Sequence, residues 1–211
     1  MKLITTLLLL TISCLLTVCG QAIPNIKAES RFANQANSKA KLQLTTSIVE
    51  RKHHCSNFMG LKVRLTFKNI GTEPIILDKR SFIVKMMVSR DPKAAAARQY
   101  ETTGRYDMFD GAFFNVDPSD MSNFIILKPG GVYEKTQGVG SFWVTAETPP
   151  PAGYLNPVTH FLQLRVSTWS YFADAKPFEK RWKNKGVLWL EIMTSLPMPF
   201  KVEKDPSLPL C

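Results

Sequence analysis

Apolar and polar residues alternate with a period of two along most of the chain. Leu61, Val63, Leu65 and Phe67 interleave with Lys62, Arg64, Thr66 and Lys68. Leu42, Leu44, Thr46 and Ile48 repeat the pattern, as do Phe82, Val84, Met86 and Val88, and Leu162, Leu164, Val166 and Thr168. Successive side chains of a strand point to opposite faces, so this period predicts strands with one buried and one wet face. Shorter apolar runs at 75–77, 124–127, 132–135, 142–146 and 188–192 add further strands. Turn chemistry separates them: Asn69 to Pro74, then Lys128-Pro129-Gly130-Gly131, then Gln137-Gly138-Val139-Gly140 read as a hairpin turn. Only 93–100, through four consecutive alanines, reads as a helix. The expectation is an all-β, antiparallel immunoglobulin-like β-sandwich of eight or nine strands, with one long loop over 90–123 and at most a short helix.

The first 22 residues have a different character. A basic start at Lys2 precedes an uncharged apolar run from Leu3 to Val18, and the small residues Gly20 and Ala22 follow. This is the pattern of a secretory signal peptide cleaved after Gly20 or Ala22. Residues 23–41 are polar and unpatterned and read as a flexible linker, which leaves 42–211 as one β-sandwich domain. Leu16-Thr17-Val18-Cys19 resembles the bacterial lipobox, which makes Cys19 a candidate lipid-bearing residue. The chain is therefore expected in the periplasm or outside the cell, touching membrane only through its leader or a lipid anchor. Cleavage after Gly20 or Ala22 removes Cys14 and Cys19. Cys55 and Cys211 remain, an even pair in an oxidising compartment, and are expected to form a disulfide.

Two segments carry a family resemblance. Residues 61–77, built around Asn69-Ile70-Gly71, resemble the strand, Asn-x-Gly, strand hairpin of secreted bacterial Ig-like domains. They are similar there to the intracellular proteinase inhibitor type of domain. Leu127-Lys128-Pro129-Gly130-Gly131-Val132-Tyr133-Glu134 matches an L-x-P-G-x-x-x-E segment of the same domains. The resemblance implies the sandwich fold and transfers no active residues.

The formal net charge of +10 favours anionic partners. Its densest expression is 176–185, where Lys180, Arg181, Trp182, Lys183 and Lys185 form a candidate basic patch on what reads as an exposed hairpin loop. An aromatic among cations there suits stacking on bases or sugars, although such runs are also ordinary solvated surface. The 90–123 loop supplies Tyr106, Phe109, Phe113 and Phe114, either an interaction surface or a local apolar cluster. Asp107, Asp110, Asp117 and Asp120 in that loop are candidate Ca²⁺ ligands or simple turn formers. His53 and His54, beside Cys55 and with His160, are candidate transition-metal ligands without a metal-binding spacing.

No catalytic set is legible. Ser141 lacks the second glycine of a nucleophile elbow, and Glu134 and Glu147 have no context as a glycosidase pair. No cofactor is expected, and nothing points strongly to nucleic acid. The sequence reads as an exported, non-enzymatic binding module for a protein or an anionic envelope polymer. Two alternatives are a proteinase-inhibitor-like module presenting the 90–123 loop and a periplasmic copper-binding protein.

Overall fold

The period of two becomes two faces of real strands. In β2 (Phe58–Asn69), Met59, Leu61, Val63, Leu65 and Phe67 are buried while Lys62, Arg64 and Lys68 are exposed. The computed structural model describes residues 39–79, 81–109, 121–169 and 175–211. Over these, β2 is sandwiched between two long neighbours, β1 (Leu42–Cys55) and β7 (Val132–Val144), with β8 (Tyr154–Leu155) at the far edge of the same sheet. A second sheet contains β4 (Ser81–Ser89), flanked by β5 (Thr102–Phe109) and β9 (Thr159–Ser167). The other edge of β9 is covered in two pieces, by β11 (Met193–Thr194) and β12 (Met198–Lys201). A third, small sheet holds β3 (Ile75–Asp78) between β6 (Phe124–Leu127) and β10 (Val187–Leu188).

All three sheets contribute to one core. Leu61, Val63, Leu65, Phe142 and Val144 from the first layer meet Val84, Met86, Leu162, Leu164 and Phe200 from the second, with Ile75, Leu77 and Leu127 from the third. Phe142 and Phe200 touch across the layers at 5.7 Å between ring centroids. The Thr46 hydroxyl of β1 donates to Met198 Sδ of β12 at 3.1 Å. The all-β sandwich is therefore the observed architecture.

Several expectations need correction. The described residues hold twelve strands and two helices, and two of the three sheets are mixed, because β10 pairs with β3 and β8 with β7 in parallel. Residues 137–140 are not a hairpin turn: β7 runs through them unbroken and absorbs their extra length in a β-bulge. The 90–123 segment is not one loop. It contains helix α1 (Pro92–Ala96), capped by Asp91 Oδ1 on the Ala94 amide at 2.8 Å, and then β5, paired along its length with β4. Tyr106 and Phe109 belong to that strand, and Asp107 with them. Cys19, Asp110, Phe113, Phe114, Asp117 and Asp120, like the leader and the linker up to residue 38, lie outside the described residues.

The Asn69-Ile70-Gly71 turn is built on a buried side chain. Asn69 is fully buried; its Nδ2 donates to Glu73 O and Leu127 O, both at 2.8 Å, and its Oδ1 accepts from the Gly71 amide at 2.9 Å. A Cβ on Gly71 would lie 2.3 Å from Lys39 O, so the turn also needs glycine there. Asn69→Ala strands two carbonyls at the end of the core and is expected to cost about 2–4 kcal/mol. Urea unfolding measures this, and a loss under ~0.5 kcal/mol would show that water replaces the amide without penalty.

Candidate ligand-binding groove

The outward face of the β1-β2-β7-β8 sheet carries a groove and a row of aromatic rings. β2 places Phe58, Gly60, Lys62 and Arg64 on it, β7 places Gly138, Ser141 and Trp143, β1 places Glu50, Lys52 and His54, and β8 adds Tyr154. Three register irregularities shape it. On β1 the pairing skips Val49 between Ile48 and Glu50, and His54 between His53 and Cys55. On β7 it skips Val139, between the residues opposite Leu61 and Lys62. The skips at Val49 and Val139 flank Lys62, so the ladder is interrupted on both sides of one residue of β2. Bulges increase local twist and bending.

A groove of about 340 Å³ lies at that bend, over Gly60, Gly138 and Gly140. Three glycines leave its floor without side chains. A Cβ on Gly60 would stand 3.0 Å from His54 Nε2 and 3.2 Å from Ser141 Oγ, so the imidazole edge and the hydroxyl lean in over bare backbone. The rim is polar and of both signs. Lys62 Nζ binds Glu50 Oε2 at 2.6 Å, and this hydrogen bond, with the ammonium charge behind it, holds the Glu50 carboxyl below its ordinary range. Lys52 and His54 stand exposed beside them.

Next to the groove, four rings form a row across all four strands. His54 meets Phe58 at 5.5 Å, Phe58 meets Trp143 at 4.6 Å, and Trp143 stacks on Tyr154 at 6.1 Å and 26°. The register explains the row: Phe58 is the β2 residue opposite Trp143, and Trp143 is opposite Tyr154. Phe58, Trp143 and Tyr154 are half-buried and His54 is exposed, so the ring surfaces are partly open to solvent. The row spans three strand spacings, about 14 Å. Sequence reasoning missed this constellation. Its only signals were an aromatic at a strand start and glycines inside an alternating pattern, which are visible as a site only once the register is known.

The structure distributes the sequence-derived candidates differently. His53 and His54 are consecutive residues of one strand and point to opposite sides. His54 joins the groove, while His53 faces the C-terminal tail. There it contributes to holding the Asp205 carboxyl down, after the larger effect of the Ser207 hydroxyl and amide, which donate to Asp205 Oδ1 at 2.6 and 3.0 Å. Cys55 is disulfide-bonded to Cys211, with Cα atoms 5.7 Å apart. His160 is buried, its Nδ1 2.8 Å from Glu101 Oε2 and its Nε2 3.0 Å from Asn156 O. Among the described residues no three His, Cys, Asp or Glu converge as a ligand set for a metal.

The basic patch is also rearranged. Residues 176–182 are helix α2 (Lys176–Trp182), not a hairpin loop, and Trp182 is 2% exposed. It packs with Phe178 against Ile76, Phe124, Trp169 and Leu188 on the outside of the small sheet. Lys180, Arg181, Lys183 and Lys185 remain exposed, but no aromatic stands between them to stack on a ligand.

No described protein family matches the chain, and no curated protein does. Among solved structures it is similar to the putative ApaA protein from Bordetella pertussis, with a TM-score of 0.35, 10% identity, and coverage of 79% of this chain and 96% of that one. A structural genomics target gives 0.30, 11%, 82% and 92%. The Bacteroides uniformis beta-glucuronidase 2, covalently bound to cyclophellitol-6-carboxylate aziridine, gives 0.30, 14%, 75% and 13%. Likenesses at this level carry no argument about what the groove does.

Proposed function

We propose that this chain is an exported, non-enzymatic binding module whose ligand is a polysaccharide of the cell envelope, held on the outward face of the β1-β2-β7-β8 sheet. The observation that carries this reading is the row of four part-exposed rings, His54, Phe58, Trp143 and Tyr154, beside a glycine-floored groove. Flat aromatic faces suit the C–H faces of sugar rings, and aromatic groups combine large contact area with little conformational entropy to lose. The groove rim offers donors (Lys52, Lys62, Ser141) and an acceptor (Glu50), the mixture that a hydroxyl-rich ligand requires. Export is supported by the leader pattern and by the Cys55–Cys211 bond, which persists in an oxidising compartment.

Trp143→Ala tests the reading. Stacking on one aromatic is worth about 1–3 kcal/mol, so affinity for soluble envelope-polysaccharide fragments should fall about 5- to 150-fold by calorimetry. The change also removes the Phe58 and Tyr154 ring contacts, so stability should fall by about 1–3 kcal/mol, and affinities are compared at a temperature where both proteins are folded. Equal affinity of variant and parent, or no binding by the parent to any fragment of a broad envelope-glycan panel, would overturn the proposal.

A further inference from the structure

The second layer carries a different surface. On β4, Lys85 is registered directly opposite Arg165 of β9, so two cationic residues occupy one row across the strand pair. Directly opposed side chains in an antiparallel pair stand about 5 Å apart at Cβ, and like charges there are destabilising. In the first layer the arrangement differs: Lys62 of β2 stands opposite Glu50 of β1 and is paired with it. In the second layer neither Lys85 nor Arg165 has an acidic partner among the described residues, and both are exposed.

The row borders a groove of about 430 Å³. Ile83 and Ile192 give it apolar walls, and Thr103, exposed on β5, adds a hydroxyl beside the two cations. Apolar walls lower the local dielectric and strengthen both the repulsion between the two cations and their attraction for an anion. An arginine fork matches a tetrahedral oxyanion in shape, and a lysine supplies a compact charge beside it. We propose that this groove binds a phosphate group of a soluble ion or monoester, with Arg165 and Lys85 as charged donors and the Thr103 hydroxyl as a neutral one. The site is separate from the ring row, which lies on the other sheet, and stands or falls independently of the polysaccharide reading.

The test is calorimetric titration of the disulfide-intact, full-length protein with inorganic phosphate, at ionic strength held constant with chloride. Lys85→Gln and Arg165→Gln are compared with Lys180→Gln, a change of equal charge on α2. The proposal expects saturable binding by the parent, about tenfold or greater weakening in each groove variant, and no change in Lys180→Gln. A second measurement separates site from scaffold. In phosphate-free buffer Lys85→Gln should melt at the parent temperature or above it, since a repulsion is removed. It should also lose the phosphate-dependent rise that the parent shows. Four results would overturn the proposal: phosphate acting no differently from chloride, groove variants binding like the parent, Lys85→Gln melting below the parent without phosphate, or binding to phosphatidylglycerol vesicles without binding to phosphate.

Discussion

Cys55→Ser is expected to be the most destabilising single change in the described domain. The bond it removes joins residues 156 positions apart, so it closes almost the whole domain into one loop. Loop-closure entropy for that length corresponds to about 4–5 kcal/mol of stabilisation. The bond does not act alone. The Ser56 amide donates to Pro209 O at 2.8 Å, the Asp205 amide to Ser56 O at 2.9 Å, and the Cys211 amide to Asn57 Oδ1 at 3.2 Å. These contacts link the same two segments, and without the disulfide they must close the loop themselves. Loss should therefore appear twice: as a fall in unfolding free energy, and as faster amide exchange over 203–211 than over β12. A fall of less than about 1 kcal/mol would mean that the tail contacts, or residual structure in the unfolded chain, already do what the bond does.

Acid adds a smaller effect at the same place. The Asp205 carboxyl is held below its ordinary value by Ser207, so its contribution is present above pH 3.8 and is lost as pH falls through the lower folded value. The carboxyl is exposed, so only the reduced or Cys55→Ser protein should show its tail loosening near that pH.

Trp182→Ala follows in size. Helix α2 has seven residues, too few to hold a helix by its own hydrogen bonds. It persists because Phe178 and Trp182, one turn apart, insert among Ile76, Phe124, Trp169 and Leu188; Trp182 meets Phe124 edge-on at 4.3 Å and Phe178 at 5.4 Å. Truncating a buried tryptophan costs about 3–5 kcal/mol, and here it should also release the helix from the small sheet. Lys180→Ala and Arg181→Ala, on the exposed side of the same helix, should stay within ~0.5 kcal/mol of the parent. Urea melts of the three variants make the comparison. Comparable losses in all three would show that the helix is held by its charges and not by its aromatic side.

The contrast between these residues shows where the sequence was legible. Long strands with one wet face, such as β2, announce themselves, because alternation is a local property and the buried face of β2 is apolar at every position from Met59 to Phe67. Helix α2 was hidden by its charge. Phe178 and Trp182 at a spacing of four were the helical signal, and Pro177 suited a first turn, but the intervening Glu179, Lys180 and Arg181 read as solvated loop. β5 was hidden by a glycine within an otherwise alternating Thr102–Phe109 run. Fragments such as β8, β10 and β11, of two residues each, have no period to detect. The turn at Asn69 was read correctly as a turn, yet nothing local shows that its side chain reaches Leu127, 58 positions away. The groove and the cationic row were illegible for the same reason. Each is a product of register, and register belongs to pairs of strands.

The bulge at Val139 has a consequence for how this chain tolerates changes of length. In an ordinary strand, deleting one residue exchanges inside for outside along everything that follows. Val139 is passed over in the pairing with β2, so its deletion would restore a regular ladder. Ser141 and Trp143 would still face outward, and Phe142 and Val144 would still face the core. The same loss at Thr136 would bring Trp143 inward and turn Phe142 out to water. Deletion at Val139 would therefore keep both faces of the strand, and its cost would be the loss of one fully buried core side chain and not the inversion of the strand.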